Sequence, residues 1–149
     1  MEIERKFLVN KLPPNLKDYT YKTIEQAYLS TEPVVRIRKS NEHYILTYKS
    51  IGFLSREEYN MPLTKDAYYH LKEKADGNII SKRRYLIPLG SNLTIELDIF
   101  DAPFDTLVLA EVEFDTEEHA LSFVPPKWFG EDVTYSHKYQ NSYLSGLSI

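Results

Sequence analysis

Polar and apolar side chains alternate along most of the chain, a pattern that predicts β-strands because successive side chains of a strand leave opposite faces. In the opening stretch MEIERKFLV, the charged residues Glu2, Glu4 and Lys6 alternate with apolar residues such as Ile3 and Phe7. The same period recurs downstream, interrupted by turn residues and prolines. We predict eight strands, at residues 1–9, 23–30, 34–39, 44–49, 56–63, 79–87, 93–100 and 107–114.

Three segments are predicted to be helical. Thr64 is a suitable N-cap for a helix over residues 64–76, and Gly77 is its expected stop. Thr116 caps a second helix, which carries acidic residues in its first turn and ends before Pro125. A short third helix is predicted over residues 137–144.

These elements predict a mainly β (α+β) fold, with residues 1–149 forming a single domain. The pattern is compatible with two arrangements of the charged strand faces. If those faces point to solvent, the strands form a plain sheet or a sandwich. If they point inward, the strands close into an eight-stranded antiparallel barrel with a charged interior, and a few helices pack outside it.

Charges of one sign are grouped on single strand faces, whereas a solvated surface usually mixes both signs. Bases concentrated in an interior need a counter-ion, because uncompensated buried charge is costly, and a polyphosphate would supply one. Carboxylate clusters suit Mg²⁺ or Mn²⁺, which bridge protein oxygens and phosphates, so the combination predicts metal-assisted phosphoryl chemistry. The grouped pairs are Arg36 with Arg38, Lys82 with Arg84, Glu2 with Glu4, Glu96 with Asp98, and Glu111 with Glu113.

The composition excludes several other classes of protein. With 42% hydrophobic and 27% charged residues the chain is typical of a soluble domain, and the absence of cysteine excludes disulfides and thiolate sites. The net charge of −4 argues against a nucleic-acid partner, and no apolar run is long enough to span a membrane. Because the N-terminus carries a charged strand instead of an apolar signal region, we expect a cytoplasmic protein. Nothing in the sequence indicates an oligomeric state.

The order of the charged motifs resembles that of the CYTH, or triphosphate tunnel metalloenzyme, superfamily. The opening EIERK is similar to the ExExK signature of that superfamily. The resemblance continues through RIR at 36–38, LTYKS at 46–50, SREEY at 55–59, KRRY at 82–85, ELD at 96–98, EVEF at 111–114 and WFGEDVT at 128–134. It therefore spans nearly the whole chain, and it is greatest to the short bacterial members that act as inorganic triphosphatases.

The resemblance implies an eight-stranded antiparallel tunnel with a basic side that binds a triphosphate and an acidic side that holds a divalent metal, Mg²⁺ or Mn²⁺. The candidate catalytic residues are Lys82, Glu58 and Arg38. Candidate phosphate-binding residues are Lys6, Arg36, Arg38, Lys49, Arg56, Lys82, Arg84 and Lys138. Candidate metal-binding residues are Glu2, Glu4, Glu96, Asp98, Glu111 and Glu113.

The expected reaction is hydrolysis of tripolyphosphate to pyrophosphate and phosphate. Asn60 departs from the family pattern, since many relatives carry a carboxylate there, so one metal or two remain possible. Water could be activated by a second metal, by Lys82 or by a carboxylate. The alternatives are an adenylate cyclase or a nucleoside or thiamine triphosphatase of the same superfamily, or a non-catalytic polyphosphate-binding module.

Overall fold

The computed structural model describes residues 1–148, which form nine strands and three helices. The predicted mainly antiparallel β fold with helices outside is confirmed. None of the described helices is long and apolar enough to cross a membrane. The strands are β1 Glu2–Leu8, β2 Tyr21–Thr31, β3 Val34–Ser40, β4 His43–Lys49, β5 Ser55–Arg56, β6 Glu58–Pro62, β7 Asp76–Leu89, β8 Leu93–Phe100 and β9 Val108–Glu113, and the helices are α1 Lys65–Lys72, α2 Glu117–Ser122 and α3 Asn141–Ser145.

The strands form one antiparallel sheet in the order β5-β1-β9-β8-β7-β2-β3-β4-β6. The single strand predicted over residues 56–63 is instead two short strands, because the chain changes partner at Glu57: β5 pairs with β1, whereas β6 pairs with β4. The two ends of the sheet are therefore joined through adjacent residues of one segment. The result is a nearly closed barrel of nine strands, one more than predicted.

The register of the strands places the charged faces side by side. Arg38 lies opposite Gln26 across the β2–β3 pair, and Arg36 lies opposite Tyr28. Elsewhere Arg84 is paired with Asp98, and Lys6 with Glu111. Because partners in register share a face of the sheet, these polar side chains gather on the inner surface of the barrel.

The opposite, apolar faces pack against the helices and loops. Ala27 and Ile37 on β2 and β3 are fully buried beneath Tyr68 of α1. On the other side, residues of β1, β8 and β9 pack with Ala120 of α2 and with Trp128. Most of the hydrophobic core therefore lies between the barrel wall and the segments that cover it, which leaves much of the barrel interior to polar side chains.

Helix α1 begins as predicted but ends earlier. The Thr64 side chain accepts a hydrogen bond from the backbone nitrogen of Ala67, as expected of an N-cap. The helix ends at Lys72, and not at residue 76, because Asp76 already pairs with Tyr28 in the sheet. Gly77, the predicted helix stop, adopts its left-handed φ of 73° near the start of β7.

Helix α3 packs across one end of the barrel. Leu144 is buried with Ile80, Phe100 and Leu109, which lie on the same strand faces as the charged residues. The inner surface thus changes from charged to apolar where α3 covers it. The short helix predicted over residues 137–144 is divided into a 3-10 turn, His137–Tyr139, and α3.

Candidate active site

The charged strand faces enclose a cavity of about 280 Å³. All nine strands contribute side chains to it, and the segment at residues 140–142 adds a further wall. The residues predicted from the sequence that line the cavity are Glu2, Glu4, Lys6, Arg36, Arg38, Lys49, Arg56, Glu58, Lys82, Arg84, Glu96, Glu111 and Glu113.

Arg36 and Arg38 form a basic region in which neither guanidinium pairs with a carboxylate of residues 1–148. Arg38 donates from Nε and Nη2 to the amide oxygen of Gln26 at 2.9 and 2.7 Å. Arg36 donates to Thr47 Oγ1 at 3.3 Å, and its buried Nε makes no hydrogen bond among the described residues. Burial, followed by repulsion from Arg36 and Arg84, lowers the pKa of Arg38 to about 9. An anion would relieve both the repulsion and the unsatisfied donor.

Lys82 and Arg84 share one buried carboxylate. Asp98 Oδ2 lies 2.8 Å from Lys82 Nζ, and Asp98 Oδ1 lies 2.7 Å from Arg84 Nε. Burial of Lys82 outweighs its attraction to Asp98 and, helped by the nearby Arg84 and Arg38, lowers the pKa of Lys82 to about 7. The Lys82 amine can therefore gain or lose a proton near neutral pH.

Across the cavity, Glu2 and Glu58 both contact Lys49. The Lys49 ammonium is 3.0 Å from Glu2 Oε1 and 3.3 Å from Glu58 Oε2. Burial raises the pKa of Glu2. Although burial also acts on Glu58, its hydrogen bond with Glu2 and the charge of Lys49 lower its pKa to about 2. Of the two carboxyl groups, Glu2 therefore takes up a proton more readily.

Glu4 and Glu111 form a second carboxylate pair. Burial, followed by repulsion from Glu111 and Glu2, raises the pKa of Glu4 well above its usual range. The pKa of Glu111 moves the other way despite burial, because Lys6, Arg84 and Lys82 stabilise its charge. Two buried carboxyl groups in this arrangement hold either a shared proton or a cation.

The carboxylates that line the cavity form an acidic wall that suits a hard divalent metal ion. They are Glu2, Glu4, Glu58, Glu96, Glu111 and Glu113. No three Asp, Glu or His side chains within residues 1–148 are already gathered around one point. Mg²⁺ usually takes one or two carboxylates, keeps several waters and completes its coordination with substrate phosphates, so a carboxylate pair is a sufficient protein ligand set. Glu4 is repelled by Glu111 and Glu2, and a cation bound among these carboxylates would relieve that repulsion.

Two predicted site residues lie away from the cavity wall. Asp98 is completely buried behind Lys82 and Arg84, so the structure places it as their counter-ion. Lys138 is exposed in the 3-10 turn and does not reach the cavity lining. The expected metal and phosphate roles of these two residues receive no support from their positions.

Several uncharged residues that were not predicted as site residues also line or support the cavity. Gln26 and Tyr28 share the inner face of β2, and their alternation could have indicated this. Thr47 joins Arg36 to Asn60, since its hydroxyl donates to the Asn60 amide oxygen at 2.6 Å. Asn141 comes from the C-terminal helix and had no signal in the sequence.

Comparisons with known proteins agree with this geometry. Residues 1–140 match the CYTH domain. An inorganic triphosphatase from Nitrosomonas europaea is 38% identical over 151 residues, covering 99% of this chain and 98% of that protein. A crystal structure of an inorganic triphosphatase superposes with a TM-score of 0.72 at 36% identity, covering 100% of this chain and 96% of that one.

More distant structures share the fold. A candidate adenylyl cyclase from Hippeastrum, described as having a dominant triphosphatase activity, has a TM-score of 0.63 at 16% identity and covers 81% of this chain and 83% of its own. A candidate adenylate cyclase from Bacillus halodurans has a TM-score of 0.60 at 19% identity, covering 100% and 93%. Since the domain match and the 38% identical relative both extend over nearly all of the chain, the protein belongs to the CYTH domain family.

Proposed function

We propose that the protein is a divalent-metal-dependent triphosphatase that hydrolyses inorganic tripolyphosphate to pyrophosphate and phosphate inside the barrel. The observation that carries the proposal is the pair Arg36 and Arg38, two guanidiniums that form no ion pair with a carboxylate of residues 1–148 and that face a wall of carboxylates across the cavity. The relative named an inorganic triphosphatase supports the choice of substrate.

The basic residues bind the substrate. Arg36 and Arg38 neutralise phosphate oxygens by charge-assisted hydrogen bonds, which are stronger than those between neutral groups. Lys6, Lys82 and Arg84 extend this surface toward the acidic wall. Arg56 and Lys49 are already paired with Glu2, so they contribute to binding once the metal or the substrate rearranges that pair.

The acidic residues hold the metal. Glu2, Glu4, Glu58 and Glu111 are the carboxylates whose mutual repulsion or shared protons a cation would relieve, and Glu96 and Glu113 extend the set toward solvent. A bound Mg²⁺ or Mn²⁺ supplies Lewis-acid stabilisation of phosphate oxygens. Carboxyl groups that are protonated in the metal-free protein would release their protons on binding the cation.

Lys82 is the proposed proton acceptor for the attacking water. Its neutral form can take a proton while water forms a bond to the terminal phosphorus, the bond to the bridging oxygen breaks and pyrophosphate leaves. Arg38 then stabilises negative charge on the transferred group, and Glu58 keeps Lys49 and Glu2 in position. Catalysis on this account consists mainly of positioning and electrostatics.

The lining of the cavity favours an inorganic substrate. Tyr28 is the one aromatic side chain among the lining residues of the described chain, and Val34 and Ile45 are the apolar ones. A pocket for an organic group is usually lined by apolar and aromatic side chains. A nucleotide or thiamine moiety would therefore gain little from this surface.

The test is phosphate release from tripolyphosphate with Mg²⁺ or Mn²⁺, with ATP and thiamine triphosphate in parallel. We expect metal-dependent turnover of tripolyphosphate and at least about tenfold lower kcat/KM for the two organic triphosphates. Cyclic AMP and pyrophosphate from ATP would instead identify a cyclase. Tight binding of tripolyphosphate without turnover would identify a binding module.

A further inference from the structure

Asn141 brings the C-terminal helix into the charged cavity. It is the first residue of α3, it is buried, and it lines the cavity together with its neighbours Gln140 and Ser142. Its amide lies between two groups of basic residues. It contacts Lys82 on β7, and it contacts Gln26 on β2, which is hydrogen-bonded to Arg38. A single neutral residue thus joins the groups around Arg38 to those around Lys82.

The orientation of the Asn141 amide is determined by its partners. Its Oδ1 accepts hydrogen bonds from Lys82 Nζ and from Gln26 Nε2, each at 2.9 Å. An ammonium group offers only donors, so the oxygen must face Lys82. The orientation of the Gln26 amide is determined in the same way. Its Oε1 accepts both hydrogen bonds from Arg38, so its Nε2 is the atom that donates to Asn141.

The amide nitrogen of Asn141, Nδ2, is available to a ligand in the cavity. Within residues 1–148, Asn141 Nδ2 makes no hydrogen bond, although the residue is buried and lines the cavity. An unpaired amide donor next to Lys82 suits a phosphate oxygen, since hydrogen bonds to charged groups are the stronger class. Being neutral, it adds a donor without adding to the repulsion among the buried bases.

The position of Asn141 is fixed by the docking of α3. Asn78 Nδ2 donates to the carbonyl oxygens of Leu144 and Leu147 at 3.1 and 2.7 Å. Gly77 lets the backbone of α3 approach closely, because a Cβ at that position would overlap the carbonyl of Ser145. Leu144 is buried against the inner end of the barrel. These contacts pack α3 against β7 and thereby hold Asn141 at the cavity.

Resting on the proposed function, we infer that Asn141 is a substrate-contacting residue of this site. Its Oδ1 holds Lys82 and Gln26 in place, and its Nδ2 donates a hydrogen bond to a phosphoryl oxygen of the bound triphosphate, next to Lys82. The C-terminal helix is in this way a part of the active site as well as a cover for one end of the barrel.

The variant Asn141→Asp separates the two roles. Aspartate keeps an oxygen that accepts from Lys82 and Gln26, but it replaces the Nδ2 donor with a second, repelling oxygen. We expect the affinity for tripolyphosphate, measured by titration calorimetry, to fall about tenfold to a hundredfold, the loss of one hydrogen bond to a charged group, while the melting temperature is retained. The matched control is Gln140→Glu, which adds the same charge at the neighbouring cavity position, where the amide nitrogen contacts Gly52 O instead of Lys82.

Wild-type affinity in Asn141→Asp, or an equal loss in both variants, would overturn the inference. Should the variant fail to fold, the wild-type protein provides the test, because the side-chain amide signals of Asn141 in ¹H–¹⁵N spectra must move when tripolyphosphate is added. Unmoved signals at saturation would contradict the contact. Binding is scored independently of turnover, so a wild-type protein that binds tripolyphosphate without hydrolysing it refutes the proposed function alone.

Discussion

Asp98 lies directly behind Lys82, with its Oδ2 2.8 Å from the Lys82 ammonium, and it contacts Arg84 through both of its oxygens. The carboxylate is completely buried and does not line the cavity. Arg84 also contacts Glu96 and Glu111, at 3.3 and 3.4 Å, so the cavity-lining guanidiniums that remain without a carboxylate partner within residues 1–148 are those of Arg36 and Arg38. Asp98 thus stabilises the buried charges of Lys82 and Arg84, while Arg36 and Arg38 remain available to bind an anion.

Removing the Asp98 charge should strongly destabilise the fold. In Asp98→Asn, Lys82 and Arg84 lose their shared buried counter-ion, and breaking such a pair costs about 3–5 kcal/mol of the free energy of unfolding. Urea denaturation at pH 7 measures this. Added tripolyphosphate should restore part of the loss, because it binds only the folded state and supplies negative charge.

The control for that variant is Glu96→Gln. Glu96 also contacts Arg84, at 3.3 Å, but its side chain is 31% exposed. Its loss should cost no more than about 1 kcal/mol, since exposed ion pairs contribute little. Equal losses in the two variants would contradict the assignment of Asp98 as the central counter-ion.

Arg38 should be required for activity on the substrate, although it should lower the stability of the ligand-free protein. Arg38→Met removes a buried guanidinium that Arg36 and Arg84 repel, so we expect unchanged or increased stability without ligand, and a fall in kcat/KM of about a hundredfold or more. The matched control is Arg83→Met, an exposed arginine next to Arg84 that does not line the cavity. Steady-state kinetics and thermal melting of both variants test this. A large loss of stability with normal kinetics would show that Arg38 is structural.

Activity should rise with pH through the titration of Lys82. The pKa of Lys82 is about 7, and only its neutral form accepts a proton, so kcat/KM should increase as pH rises through about 7 and then level off. A bound triphosphate stabilises the ammonium form, so the rise in kcat should lie at a higher pH than the rise in kcat/KM. In Lys82→Met, kcat/KM should be low and should no longer increase as pH rises through about 7. An unchanged profile in that variant would exclude Lys82 as the base.

Glu4 should affect the metal requirement more than the fold. Because its pKa is raised well above the usual range, Glu4→Gln resembles a form that the metal-free protein readily adopts, and stability should change little. Without this carboxylate, the Mg²⁺ or Mn²⁺ concentration for half-maximal activity should rise about tenfold or more. Metal titrations measure this, with Glu118→Gln on the exposed face of α2 as control. Identical metal dependence in the wild type and Glu4→Gln would place the metal elsewhere.

Gly77→Ala should loosen α3. Gly77 has a φ of 73°, and an added Cβ would meet the Ser145 carbonyl, so the substitution should cost about 2 kcal/mol or more. Gly90 is the matched control, since a Cβ there meets no atom within 4 Å. Urea denaturation measures the free energy of unfolding of both variants. If Gly77→Ala loses no more stability than Gly90→Ala, the Ser145 carbonyl can move away from the added Cβ at little cost.

Strand alternation was sufficient to predict much of this structure. Charged faces with apolar partners give the inner and outer surfaces of the barrel, and Thr64 and Thr116 cap helices where their side chains can accept hydrogen bonds from the backbone. The change of strand partner at Glu57 was not predictable in the same way. Alternation continues through that residue, and only long-range pairing of β5 with β1 and β6 with β4 divides the segment.

The candidate site was predictable where charge was the signal. The acidic and basic residues that alternate on strands reached the cavity, whereas Lys138, which lies in an irregular segment, did not. Asp98 has the same alternation as Glu96, and its complete burial depends on how Lys82 and Arg84 pack over it. Asn141 carries no charge and lies in a short helix, so only tertiary packing shows that it reaches the cavity.

The most direct test of the central claim is ³¹P NMR of tripolyphosphate incubated with the wild-type protein, with Mg²⁺ or Mn²⁺ and with a chelator. We predict that the tripolyphosphate signals disappear only when metal is present, while pyrophosphate and phosphate appear in equal amounts. Tripolyphosphate that persists with both metals, although it binds in the cavity, would contradict the proposed hydrolysis.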